Sequence, residues 1–93
     1  MIEIPKPWGK KTLLLNNHHY CLKLIELDKE AVLPLKWNER KHETLYVVDG
    51  KVHVRKHGDS FIAEKGRVID IPPGTLHTLT ALEFTRLFDV STP

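Results

Sequence analysis

Six histidines, one cysteine and twelve carboxylates are the residues of this 93-residue chain that could carry chemistry. Two stand apart by context. His77 follows Gly66 by way of Pro72-Pro73-Gly74, and Glu43 opens the run Glu43-Thr44-Leu45-Tyr46-Val47-Val48-Asp49-Gly50. An imidazole can ligate a metal or move a proton near neutral pH, and a carboxylate beside it can do the same. The other histidines read differently. His42 adjoins Glu43, so in a regular strand it points to the opposite face, and only a bulge would bring it back. His53 and His57 lie in or beside a hairpin with no partner spacing and read as solvated side chains. His18-His19 reads as a polar turn that could pick up adventitious metal. Cys21 is alone, which rules out an internal disulfide and fits a reducing, cytoplasmic setting. No glycine-rich phosphate loop precedes a helix, so nothing implies a nucleotide.

Short apolar runs punctuated by turns every eight to twelve residues must position these groups, the habit of an all-β barrel or sandwich. Asp49-Gly50 between two β-branched runs predicts a two-residue hairpin turn with positive φ at both positions. A second hairpin is expected at His57-Gly58-Asp59-Ser60, and Glu64-Lys65-Gly66-Arg67 turns the chain into Val68-Ile69-Asp70-Ile71. Pro72 and Pro73 end that strand because neither can donate to a ladder. Further strands are expected at Thr12–Leu15, Tyr20–Leu27, His77–Leu82 and Phe84–Val90, and Pro34 marks an edge strand or a bulge. Asp28–Ala31 reads as a loop or one helical turn, and no segment has an amphipathic helical period of ten residues. The tally is eight or nine strands, which hide their edges by closing on themselves.

The spacing from Gly66 through five residues to Pro72-Pro73-Gly74, and two more to His77, resembles the second signature motif of the cupins. Glu43, seven residues before Gly50, resembles the end of the first. Lys6-Pro7-Trp8-Gly9, Tyr20-Cys21-Leu22-Lys23 and Asp89-Val90-Ser91-Thr92 extend the resemblance to the cupins related to mannose-6-phosphate isomerase. The same barrel forms the C-terminal domain of mannose-1-phosphate guanylyltransferases. The resemblance implies a single cupin domain over residues 1–93, an all-β antiparallel jelly-roll barrel (double-stranded β-helix). The group's activity implies metal-assisted aldose–ketose isomerisation of a sugar phosphate.

The chain departs from that pattern at the metal. Metal-binding members carry a His-x-His pair before the glutamate, and aligned on Glu43 and Gly50 those positions fall on Lys36 and Asn38. The family site of three histidines and one glutamate suits zinc, iron, manganese or nickel. Here Glu43 and His77 survive. A protonated lysine cannot ligate and asparagine is a poor ligand for transition metals, so no tightly held metal is expected and a weakly bound divalent ion is the most the site would support. By strand alternation Lys36 and Asn38 share a face opposite Leu35 and Trp37. A cation inside a barrel needs a partner, and Glu43 is the expected one, with Asn38 and His77 hydrogen-bonding around the pair. Alternatively Lys36 holds the phosphate or carboxylate of a ligand. Trp8, Trp37 and Tyr46 could stack on a sugar, although aromatic residues in small barrels more often serve core or interface.

Composition bounds the rest. Fourteen basic against twelve acidic residues give a net charge of +2, with the basic residues scattered, which argues against nucleic acid. No apolar run reaches signal-peptide or membrane-span length, so a soluble protein is expected. Ninety-three residues bury only roughly 60–65% of their extended-chain surface, a thin core that would gain from homodimerisation. Three functions remain open: a small-molecule cupin that binds a sugar phosphate or other anion without a metal, a sugar isomerase or epimerase working through His77, Glu43 and Lys36, and a non-catalytic interaction or regulatory module.

Overall fold

The computed structural model describes the backbone of residues 1–36 and 39–93, and the side chains of these apart from 34–36. Among the described residues there are ten strands, β1 (Ile2–Lys6), β2 (Gly9–Asn16), β3 (Cys21–Leu27), β4 (Val32–Lys36), β5 (Glu43–Asp49), β6 (Lys51–Lys56), β7 (Asp59–Glu64), β8 (Val68–Ile71), β9 (His77–Ala81) and β10 (Thr85–Ser91). They pair antiparallel throughout, and among the described residues there is no helix. Six form one sheet in the order β1-β2-β3-β10-β5-β8, and four form the other in the order β4-β9-β6-β7.

Alternation dictates which side chains meet between the sheets. Leu45 and Val47 of β5, Val52 and Val54 of β6, Leu79 and Ala81 of β9, and Leu87 of β10 lie two apart on their strands and are buried together with Trp8 and Ile69. This single cluster is the core. Trp8 enters it from the turn between β1 and β2.

Two sequence expectations change and a third is sharpened. The turn at Asp49-Gly50 does not make a hairpin: β5 lies in the six-stranded sheet and β6 in the four-stranded one, so the chain turns a corner between sheets. Only Gly50 takes positive φ (99°), whereas a type I′ turn needs both residues there. Glycine is required because a Cβ would stand 2.5 Å from the Phe84 carbonyl oxygen and against Thr85. The mirror-image turn occurs one connection later, where His57 (φ 46°) and Gly58 (φ 82°) join β6 to β7. Strand β1 is the added element, an edge strand that tolerates Pro5 because an outer strand donates to one neighbour only. Pro34, expected at an edge or a bulge, stands at both: β4 is an edge strand, and its register to β9 shifts between Leu33 and Lys36.

Candidate functional site at the barrel end

Two residues distant in sequence converge where the sheets meet. Glu43 begins β5 and His77 begins β9, in opposite sheets, and Nε2 of His77 lies 3.8 Å from Oε2 of Glu43. Both side chains are largely buried, His77 at 6% exposure and Glu43 at 17%. The proline-rich turn before β9 orients the imidazole. Nδ1 lies 3.3 Å from the carbonyl oxygen of Thr75, which can only accept, so Nδ1 carries the proton. In the neutral ring Nε2 then presents a lone pair toward a carboxylate oxygen. Two acceptors facing across 3.8 Å call for a proton, a ligand donor or a cation between them.

Alternation in β10 adds groups that sequence reading passed over. Asp89 (6% exposed) and Ser91 (2%) continue the buried face of Thr85 and Leu87, and the register sets Ser91 opposite both Glu43 and Cys21. Lys23 stands opposite Asp89. The Ser91 hydroxyl has no hydrogen-bond partner among the described residues. The signal for these positions was the period-two pattern Thr85, Leu87, Asp89, Ser91. Lys56 is a second addition: it pairs in register with His77 on the neighbouring strand and donates from Nζ to the carbonyl oxygen of Asp70 at 2.6 Å, tying the two sheets together.

Lys36 and Asn38 are the other expected site residues. The backbone of Lys36 is in register with His77. The Lys36 ammonium, the Asn38 side chain and the expected Lys36–Glu43 pair lie outside the described residues. His42 stands on the far side of the strand from Glu43, as alternation requires, and its Nε2 is 2.6 Å from Oδ1 of Asp70. Tyr46 also lies outside the barrel, 43% exposed, and is not placed to stack on a ligand within it. His53 meets Ser60 on the outer face of the four-stranded sheet, and His18, His19 and His57 are exposed.

Glu43 and His77 supply two metal donors. Among the described residues, no group of three or more His, Cys, Asp or Glu comes together in a way that could hold a metal ion. Zinc in a catalytic site ordinarily takes three protein ligands, so the described donor set does not fit a resident transition metal.

Two facing antiparallel sheets with polar side chains gathered at one end define the protein class: this is a cupin. KdgF from Halomonas sp. superimposes with a TM-score of 0.93 at 22% identity, covering 100% of this chain and 86% of its own. An RmlC-like cupin from Shewanella frigidimarina matches with a TM-score of 0.85 at 26% identity, over 90% of this chain and 75% of its own. Within that class the chain belongs to the mannose-6-phosphate isomerase C-terminal family, whose model matches residues 2–87. A mannose-1-phosphate guanylyltransferase from Salmonella muenchen is 27% identical over 78 residues. That stretch is 84% of this chain and 16% of the relative.

Proposed function

We propose that this cupin binds a sugar phosphate or a related anionic small molecule at the barrel end, without a tightly held metal. The observation that carries the reading is the His77–Glu43 approach, two buried hydrogen-bonding groups facing each other across a gap with no third metal donor among the described residues. In this reading Glu43 accepts from ligand hydroxyls, Nε2 of His77 and the Ser91 hydroxyl take further polar contacts, and Lys36 with Asn38 receives the anionic group. An ammonium holds phosphate as a point charge, and in the sequence Lys36 stands where metal-binding members of the family carry a histidine. Family membership supports the sugar-phosphate class.

A second reading is an isomerase. It is favoured by the fixed tautomer of His77, whose Nε2 can exchange a proton with a substrate carbon or oxygen beside Glu43. The small share of the Salmonella muenchen relative that this chain matches favours a third, a module serving a larger sugar-activating enzyme.

The deciding experiment combines elemental analysis of the purified protein, before and after soaking with zinc, manganese, iron and nickel, with hexose 6-phosphates added in thermal melts and turnover assays. Substoichiometric metal with ligand-dependent stabilisation and no turnover supports the binding reading. Turnover selects the isomerase. One tightly held metal per chain overturns the metal-free site.

The outer face of the six-stranded sheet supports a homodimer. Leu24, Phe88, Tyr46 and Val68 form one row across β3, β10, β5 and β8, with Leu22 and Val90 beside them. Tyr46, Val68 and Val90 are each more than 40% exposed. A contiguous apolar sheet face of this kind is stabilised by a mate. The buried, unpaired Cys21 fits a cytoplasmic setting.

A further inference from the structure

The outer face of the four-stranded sheet carries a second set of convergent polar groups, separated from the barrel end by the sheet itself. Register arranges them in two adjacent rows: Ser60, Arg55 and Thr78 across β7, β6 and β9, then His53 and Thr80 one step along. Neighbouring strands lie ~4.8 Å apart, so these side chains stand within reach of one small ligand. With His57 from the turn they line a groove of about 600 Å³. Nearly every group in it donates. Arg55 forms no ion pair among the described residues, and neither do the hydroxyls of Thr78 and Thr80 find a hydrogen-bond partner there. Arg55 faces a single acid in the lining, Asp59, while the Lys56 ammonium is directed to the other sheet, and protonation of His53 or His57 makes the groove positive.

We propose that this groove is an anion site for a phosphate monoester of a small molecule, with Arg55 as its anchor. The guanidinium presents a planar fork of donors that matches two phosphate oxygens, and Thr78 and Thr80 offer hydroxyls to the third. His53, already hydrogen-bonded to Ser60, lies on the same face and adds charge when protonated. The volume suits a ligand larger than the phosphate alone, within the usual range for small-molecule sites. A nucleic acid is disfavoured because the lining offers one uncommitted guanidinium and no Phe, Tyr or Trp ring for base stacking.

The test is a titration of the intact, isotope-labelled protein followed by amide and imidazole NMR shifts. Inorganic phosphate, glucose 6-phosphate and a single-stranded oligonucleotide are added in separate series against chloride at matched ionic strength. Saturable shifts at Arg55, Ser60, Thr78 and Thr80 with phosphate and the ester are expected. Tighter binding of the ester assigns the groove to an organic phosphate, and equal affinity assigns it to the free anion. Arg55→Gln raises Kd about tenfold, as loss of a charge-assisted pair would, and Thr78→Val about threefold. Saturable shifts at Arg55, Ser60, Thr78 and Thr80 that keep their Kd in Glu43→Gln belong to the groove and stand even if the barrel-end reading fails. The proposal is overturned by absent saturation, by shifts confined to Glu43, His77 and Ser91, by an unchanged Kd in folded Arg55→Gln, or by oligonucleotide binding without phosphate binding.

Discussion

Nε2 of His77 and Oε2 of Glu43 face each other at 3.8 Å, although the residues come from opposite sheets. Neither strand alone contains the site. It exists only when β5 and β9 are closed on each other, so its chemistry depends on the fold at long range. Replacing either residue should therefore remove ligand contacts while leaving the apolar cluster intact. Glu43→Gln and His77→Gln are each expected to abolish most of the thermal stabilisation given by mannose 6-phosphate, with affinity falling about tenfold. Melts at increasing ligand concentration check this, and an undiminished shift in both variants would rule the pair out.

At the corner between β5 and β6, Gly50 takes φ 99° with Thr85 packed against it. The Thr85 hydroxyl lies 3.1 Å from the Lys51 amide and 3.2 Å from its carbonyl oxygen, and it also reaches the carbonyl of Glu83. Gly50→Ala should cost on the order of 2–4 kcal/mol, combining backbone strain with a steric clash. Urea denaturation measures it, and a loss under about 0.5 kcal/mol would show that the corner yields freely.

Leu79 is fully buried, in register with Leu33 on one side and Val54 on the other. Leu79→Ala should destabilise by about 2–5 kcal/mol, the range for truncating a leucine in a packed core. In so thin a core this is a large part of the total, and the midpoint of denaturation is expected to fall accordingly.

The hydrogen bond from His42 holds the Asp70 carboxyl below its ordinary value against a smaller opposing effect of burial, with the charge of His42, a hydrogen bond from Thr44 and the charge of Lys56 assisting. A carboxylate whose pKa is lowered on folding contributes stability above its unfolded pKa and loses it as pH falls through the folded value. Asp70→Asn should flatten the acid limb of the stability profile below the ordinary carboxylate pKa of 3.8 and leave it unchanged in shape near neutrality. Since both side chains are exposed the effect is small, and salt should weaken it.

If the apolar row through Tyr46 and Phe88 joins two copies, Tyr46→Glu should convert the dimer to monomer by placing a charge in its centre. Sedimentation velocity over a hundredfold concentration range, on wild type and variant, reads this directly. A wild-type protein that stays monomeric throughout would remove the dimer.

The sequence made the all-β class and most of the strands legible because alternation and turn residues act locally. Residues 77–81 and 85–91 needed only their own period-two pattern. What failed was pairing. Asp49-Gly50 shows that the chain reverses sharply, but whether the flanking strands bond to each other depends on Thr85, 35 residues on. The candidate site was legible to the same degree. Glu43 and His77 stood out through spaced glycine and proline landmarks, whereas Asp89 and Ser91 look like the end of an ordinary strand until the register sets them opposite Lys23 and Glu43. Lys56 and Arg55 were passed over as scattered surface charge. Their difference, one directed to the other sheet and one to the outer groove, follows from adjacent positions on a single strand.

Strand β10 sits between β3 and β5, bonded to both. Without Thr85–Ser91 the larger sheet is two unconnected pieces, and β3 and β5 each display an open row of amides and carbonyls. A growing chain therefore cannot complete this barrel on the ribosome until residue 91 has cleared the exit tunnel. Earlier lengths expose strand edges of the kind that chaperones cover or that self-associate. Such distant partners also make for slow, all-or-none folding, since loop closure precedes the contacts that reward it. Placing the last strand in the middle of the sheet thus makes the final residues of the domain the step that commits the whole.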